Sequence, residues 1–226
     1  MKVRVCVSVL PKTSAEALKL IEKAEELKAD LIEVRLDKLD KHDRLADLAS
    51  YGKTTKIATN KLLSCHGNFK GTENEQKKIL LTAAKTGFNY VDIELSASNL
   101  KEFTTQVNDL GAELIISFHD FEGTMKLPEL HSVLEREIAC GADICKIVTT
   151  AKRFEDNLAL LSFCSAASKR GNVVCFAMGK AGRVSRLLSP LFGCAFTFAA
   201  MESGNETASG QMTIEEMRSA YKLLGV

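Results

Sequence analysis

Residues 100–118 read LKEFTTQVNDLGAELIISF, and two structural periods meet inside them. Leu100, Phe103, Val107 and Leu110 recur at three- and four-residue steps, which puts their side chains on one face of a helix. Gly111 follows, at the position where a helix end favours a left-handed residue. Glu113–Phe118 is then a short apolar, β-branched run, near-continuous rather than alternating, as in a parallel strand covered on both faces. The segment predicts a helix that ends on a glycine and feeds a buried strand.

The same unit recurs in both directions. Strands are predicted at Val3–Val9, Leu31–Leu36, Thr55–Thr59, Tyr90–Leu95, Glu113–Phe118, Ile144–Val148, Val173–Ala177 and Ala195–Ala199. Between them lie helical spacings such as Ala17, Leu20, Ile21, Ala24 and Leu27, or Leu127, Leu130, Leu134 and Ile138. Ser14 is placed to open the first helix, and Pro128 suits the first turn of a later one. Gly87, Gly141 and Gly171, like Gly111, fall between a helical stretch and a strand. About eight βα units is the number that closes a barrel. The expected fold is therefore a (β/α)8 TIM barrel, one domain over residues 1–226, because no linker or shift of composition divides the chain. An open doubly wound sheet is the alternative.

Composition narrows the function. Of 226 residues, 46% are hydrophobic and 26% charged, enough for a large core without disulfide staples. Thirty basic residues against 29 acidic ones leave a formal charge of +1, so no bulk field points to nucleic acid or an anionic membrane. The seven cysteines form no C-x-x-C, and most sit among apolar neighbours, as in Val5–Cys6–Val7 and Val174–Cys175–Phe176. That usage fits reduced, buried thiols. The opening MKVRVCVSVLPK has the outline of a leader, but Arg4 interrupts it and no small-residue cleavage site follows. The longest apolar run, Leu191–Met201, is too short for a bilayer and contains Gly193 and Thr197. A cytoplasmic protein is expected.

In a parallel barrel the working groups collect at the carboxyl ends of the strands. Unexpected polar residues gather there. Glu33 and Arg35 lie two apart near the end of the second strand, and so on one side of it. The third strand runs out at Asn60 and Lys61, the fourth carries Asp92 and Glu94, and the fifth ends at His119–Asp120. Lys146 interrupts the apolar run Ile144-Cys145-Lys146-Ile147-Val148, where an unpaired charge costs several kcal/mol. Singly, each has a structural reading: a snorkelling or paired lysine, a hydrogen-bonded core histidine, an ion pair at the mouth. Gly179-Lys180-Ala181-Gly182 is too short for a phosphate loop, and the four histidines show no metal-ligand pairing on a helix face. No metal is expected. What carries weight is a Lys, a His, two Glu and an Arg at successive strand ends.

That set has a chemistry. A desolvated lysine loses its proton more readily and can attack a ketone to form an imine. The protonated imine is an electron sink for a carbanion beside it, and a nearby histidine moves protons near neutral pH. Glu94, one strand before His119, is placed to orient that imidazole. The reaction class is imine-forming lyase chemistry, dehydration or aldol cleavage.

The chain also resembles the type I 3-dehydroquinate dehydratases of the shikimate pathway, nearly end to end. The resemblance is carried by Glu33-Val34-Arg35-Leu36-Asp37, Asp92-Ile93-Glu94-Leu95, Ser117-Phe118-His119-Asp120-Phe121, Ile144-Cys145-Lys146, Met178-Gly179-Lys180-Ala181-Gly182-Arg183-Val184-Ser185-Arg186 and Ser209-Gly210-Gln211. It implies an enzyme that removes water from 3-dehydroquinate to give 3-dehydroshikimate with no cofactor beyond the imine on Lys146. His119 would be the acid/base and Glu94 its support. Glu33 and Arg35 would bind ring hydroxyls, and Arg186 would clamp the carboxylate. Thr207 and Gln211 would belong to the covering loop, with Ser8, Met178, Phe121 and Phe198 lining the site. The partner implied is a small molecule, and the assembly a homodimer.

Two stretches depart from the family pattern. Lys61 stands where Arg is usual, and Leu62-Leu63-Ser64-Cys65-His66-Gly67 replaces paired glycines, so the contact made by Lys61 is open. The covering loop, Thr207-Ala208-Ser209-Gly210-Gln211, has Thr for Ser and Ser209 for a usual Pro. The rival enzyme reading is a class I aldolase, which would want a phosphate site after strands seven and eight. The rival of another class is a barrel that only binds metabolites.

Overall fold

A computed structural model describes residues 3–226; Met1 and Lys2, which open the leader-like segment, lie outside the described residues. Eight parallel strands alternate with helices. The strands are β1 (Val5–Val9), β2 (Leu31–Arg35), β3 (Thr55–Thr59), β4 (Tyr90–Glu94), β5 (Glu113–His119), β6 (Ile144–Thr150), β7 (Asn172–Met178) and β8 (Thr197–Ala199). The helices are α1 (Ser14–Glu26), α2 (Leu45–Ser50), α3 (Glu73–Lys85), α4 (Leu100–Asp109), α5 (Leu127–Ala139), α6 (Asp156–Ala167), α7 (Arg183–Leu188) and α8 (Ile214–Leu223). From β1 to β7 each strand pairs with its sequence neighbour, and β8 returns to β1. At the seam between β7 and β8, the Ala195 N–H donates to the Val173 carbonyl at 2.8 Å. The expected barrel forms.

Where strand ends differ from the sequence reading, local hydrogen bonds explain it. Ala195 and Phe196 precede β8 rather than belonging to it, because Ala195 spends its N–H on the seam and the ladder to β1 begins at Thr197. β1 starts at Val5, whose N–H is taken by the Asp30 carboxylate at 3.0 Å. Thr13, not Ser14, caps α1 by accepting the Glu16 N–H. Gly87, Gly111 and Gly141 take positive φ as expected. Gly171 does not, because Lys169 and Arg170 separate it from the helix that ends at Ala167.

The core has two shells. One lies between the sheet and the helices, with Ile21, Leu48, Leu80, Val107, Leu134 and Phe163 pointing inward from them. The other plugs the barrel, where Cys6, Leu31, Ile57, Ile115, Ile144, Val174 and Phe196 fill the bottom. Because side chains alternate across a strand, the residue two further along each strand stacks above this plug. That next layer is mostly polar, with Ser8, Glu33, Thr59, Ser117 and Lys146 beside the rings of Phe176 and Phe198, all buried. The fold thus lifts the polar residues to the mouth. Among the described residues no helix is long and apolar enough to cross a membrane.

Candidate active site

The mouth of the barrel holds a cleft of about 600 Å³, its open top included. Ser8, Glu33, Arg35, Lys61, His119, Lys146, Arg186, Thr207 and Gln211 all line it. Glu94 does not; it lines an adjoining pocket shared with Lys61 and His119.

Lys146 stands on β6, one strand from Ser117 in register. Its Nζ donates to Asp92 Oδ2 at 2.7 Å, lies 3.5 Å from Glu33 Oε1, and sits 4.4 Å above the Phe198 ring. Both carboxylates are themselves held. Ser117 donates to Asp92 at 2.7 Å, Thr59 donates to Glu33 at 2.9 Å, and the Ser8 hydroxyl donates to the other Glu33 oxygen. Burial works against an ammonium here, but Asp92 and Glu33 outweigh it and raise the Lys146 pKa above its ordinary value. Burial likewise works against the Glu33 carboxylate, yet Lys146, Arg35 and the two hydroxyls bring it down to about 2. The sequence reading expected a desolvated lysine that gives up its proton readily. The structure corrects this: two carboxylates stabilise the charged form, so the proton is held until something displaces it.

His119 ends β5 and is not hydrogen-bonded to Glu94, which corrects a second expectation. Lys61, from the end of β3, stands between them. Its Nζ lies 3.1 Å from His119 Nδ1, 3.3 Å from Nε2 and 3.6 Å from Glu94 Oε1. Glu94 accepts instead from Gln76 on α3 at 3.1 Å. Burial and the charges of Lys61, Lys146 and Arg35 hold His119 well below the ordinary imidazole value, so the ring is neutral at neutral pH. Burial also lowers Lys61 and raises Glu94, which marks their contact as a long ion pair rather than a tight one.

Two arginines differ in their company. Arg35 forms a bidentate pair with Asp37 at 2.7 and 2.8 Å, and Asp37 also accepts both donors of Asn68. Arg186, on α7, is 1% exposed, stacks 4.2 Å from the Phe176 ring, and has Nε and Nη2 buried without a hydrogen-bond partner. Burial alone pushes its pKa down to about 9, so it stays charged at neutral pH. The backbone beneath it is fixed, since Ser185 bridges the Ala177 N–H and the Gly182 carbonyl while Thr197 donates to the Arg186 carbonyl at 2.6 Å. Such a guanidinium is built for a planar anion.

The loop after β8 crosses the cleft. Gln211 Oε1 accepts the Thr207 N–H at 2.7 Å, and its amide donates back to the Thr207 hydroxyl at 3.1 Å. Ser209 is tied to β7 through its carbonyl, which accepts the Gly179 N–H at 3.0 Å. Gly210, at φ +78°, passes so close that a Cβ would lie 2.2 Å from the Gly179 carbonyl oxygen.

Several participants escaped the sequence reading. Thr59, Ser117 and Phe176 look like ordinary strand residues. Asp92 was legible as Glu94's neighbour on one face, but not as the partner of Lys146. Gln76 left a signal: with Leu80 and Ala83 it occupies the inward stripe of α3, where a glutamine needs a partner. His66 left none. It adopts φ +60° and its ring lies 3.9 Å from Phe121, which stacks 5.9 Å from His119. Among the described residues no cluster of His, Cys, Asp or Glu is grouped as metal ligands would be.

The chain is 34% identical to the 3-dehydroquinate dehydratase of Desulfotalea psychrophila over 226 residues, covering 96% of each chain. The crystal structure of 3-dehydroquinate dehydratase from Geobacillus kaustophilus superposes with a TM-score of 0.92 at 25% identity, covering 100% of this chain and 92% of that one. The type I enzyme of Clostridium difficile, solved with covalently modified comenic acid, gives 0.87 at 26% identity, covering 99% and 92%. The sequence model described as Type I 3-dehydroquinase matches residues 5–226, which takes in every strand of the barrel and every side chain of the cleft; the chain belongs to that family.

Proposed function

We propose that this chain is a 3-dehydroquinate dehydratase that works through an imine on Lys146. The observation that carries the reading is a pair of buried cations lining one cleft: Lys146 beside two carboxylates, and Arg186 with no anion of its own among the described residues. A ketone that also bears a carboxylate fits both ends. Arg186, flat against Phe176, suits a carboxylate better than the phosphate an aldolase substrate would bring.

The steps follow from the residues. One Nζ proton leaves Lys146, with Asp92 at 2.7 Å the nearest acceptor, and the nitrogen attacks the ketone. Water leaves as the C=N bond forms, and the protonated imine is flanked by the Glu33 and Asp92 carboxylates. Neutral His119 takes the proton from the carbon beside the iminium carbon, whose electrons pass into the C=N bond. The neighbouring hydroxyl departs with a proton from His119 as water, and hydrolysis returns Lys146. No cofactor enters, because the lysine supplies the electron sink. The reading includes a small-molecule substrate, a cytoplasmic setting in keeping with seven free thiols, and a homodimer, which sedimentation would test.

Sodium borohydride added with 3-dehydroquinate should inactivate the protein and leave a mass adduct on Lys146. His119→Ala should lower kcat by about 10²–10⁴-fold, the usual contribution of a positioned acid/base, while still giving the adduct. No adduct on the wild type, or near-normal turnover by His119→Ala, would overturn these roles.

A further inference from the structure

An imidazole that moves protons must present a lone pair to its substrate, and an ammonium can only donate. Lys61 Nζ lies 3.1 Å from one His119 ring nitrogen and 3.3 Å from the other, so the ammonium stands beside whichever of them carries the lone pair. Lys61 has a rigid base and a flexible stem. Its carbonyl accepts the Phe69 N–H at 3.1 Å, and Gly67 packs so tightly that a Cβ there would lie 2.0 Å from that same carbonyl oxygen. Its Nζ has two acceptors within one small swing, the His119 ring at 3.1 Å and Glu94 at 3.6 Å. The second is kept in place by Gln76, which donates both to Glu94 at 3.1 Å and to the carbonyl of Asn60, the residue before Lys61, at 2.7 Å.

We propose that Lys61 is a positioning residue for His119: its ammonium covers the imidazole lone pair, and substrate entering the cleft moves it onto Glu94, which uncovers the base. The inference rests on the dehydratase reading and gives the lysine that replaces the family's usual arginine a task of its own. A guanidinium fork would hold Glu94 at two points, whereas a single ammonium on a four-carbon stem can change partner. During turnover the proton passes from carbon to His119 and then to the departing hydroxyl, and Lys61 keeps its three protons throughout. The charged or titratable groups facing this pair are Glu94, Asp92, Lys146, Arg35 and His66. Among the described residues Lys61 is the cation within hydrogen-bond distance of the ring, so its removal should be felt most.

The test is a histidine NMR titration of substrate-free wild type, Lys61→Met and Lys61→Gln, the second in case the first fails to fold. The midpoint of His119 should rise in either variant by about one pH unit, the size of shift a neighbouring charge produces. The acid limb of kcat/KM, which reports groups of the free enzyme, should move with it. Glu94→Gln should lower kcat in wild type and have less effect in Lys61→Met, where no cation needs a second seat. An unmoved His119 midpoint with only a raised KM would make Lys61 a plain substrate contact and overturn the proposal. If the wild type failed to turn over 3-dehydroquinate, the dehydratase reading would fall, while the titration would still decide whether Lys61 governs His119.

Discussion

Lys146 and Arg186 are both buried cations in one cleft, and their surroundings are opposites. Lys146 is neutralised by Asp92 and Glu33, which are in turn fixed by Ser117, Thr59 and Ser8. Arg186 has an aromatic ring against its plane and no anion paired with it. At the first the protein has arranged its own counter-charges, so folding and chemistry share one network. At the second, on the proposed function, the counter-charge would come from the substrate, so folding bears a cost that binding would relieve. The contrast separates a charge balanced within the scaffold from one that, on the proposed function, the substrate carboxylate would balance.

The largest test of this contrast is Lys146→Met. Turnover and borohydride adduct should both vanish. Stability should fall as well, by about 3–5 kcal/mol, because the substitution strands two buried carboxylates. This reverses what the sequence suggests, namely that removing a charge from an apolar strand relieves burial. Urea unfolding measures it, and a variant as stable as wild type would show that Asp92 and Glu33 do not depend on the lysine.

Arg186→Met should do the reverse. Losing a charge-assisted contact to a carboxylate weakens substrate binding by about 1.5–3 kcal/mol, roughly one to two decades. Yet the melting temperature should match or exceed that of wild type, since an uncompensated charge leaves the interior. A drop comparable to that of Lys146→Met would erase the distinction between the two sites.

The remaining test concerns pH. Glu33 is held at about 2 against an ordinary value of 4.5. Its contribution to stability is therefore complete above pH 4.5 and is lost as the pH falls toward 2. At about 1.4 kcal/mol per unit this amounts to about 3 kcal/mol. Denaturation curves taken downward from neutral pH should be steeper for wild type than for Glu33→Gln over that window. Equal slopes would remove Glu33 from the lysine's network.

Most of the barrel was legible in the chain because its signals are local. Helical stripes, near-continuous strand runs and glycines at helix ends repeat often enough to count eight units, and Leu100–Phe118 carries all three signals at once. The strand-end positions of Arg35, Lys61 and His119 and the inward side shared by Glu33 and Lys146 were legible too, since alternation along a strand decides which residues share a side. Family motifs supplied Arg186, Thr207 and Gln211, whose places on α7 and in the covering loop no periodicity reveals. What remained hidden was who meets whom. Asp92 and Lys146 are 54 positions apart, and Lys61 and His119 are 58 apart. Their contacts depend on strand register and barrel curvature, and on side chains contributed from outside the sheet, as Gln76 is from α3. The chain by itself determined the repeating unit, the face of each strand and the chemical types at the mouth. Only the tertiary structure decided their protonation, holding Lys146 charged and His119 neutral, because a pKa is set by neighbours a few ångströms away in space and not by neighbours in sequence.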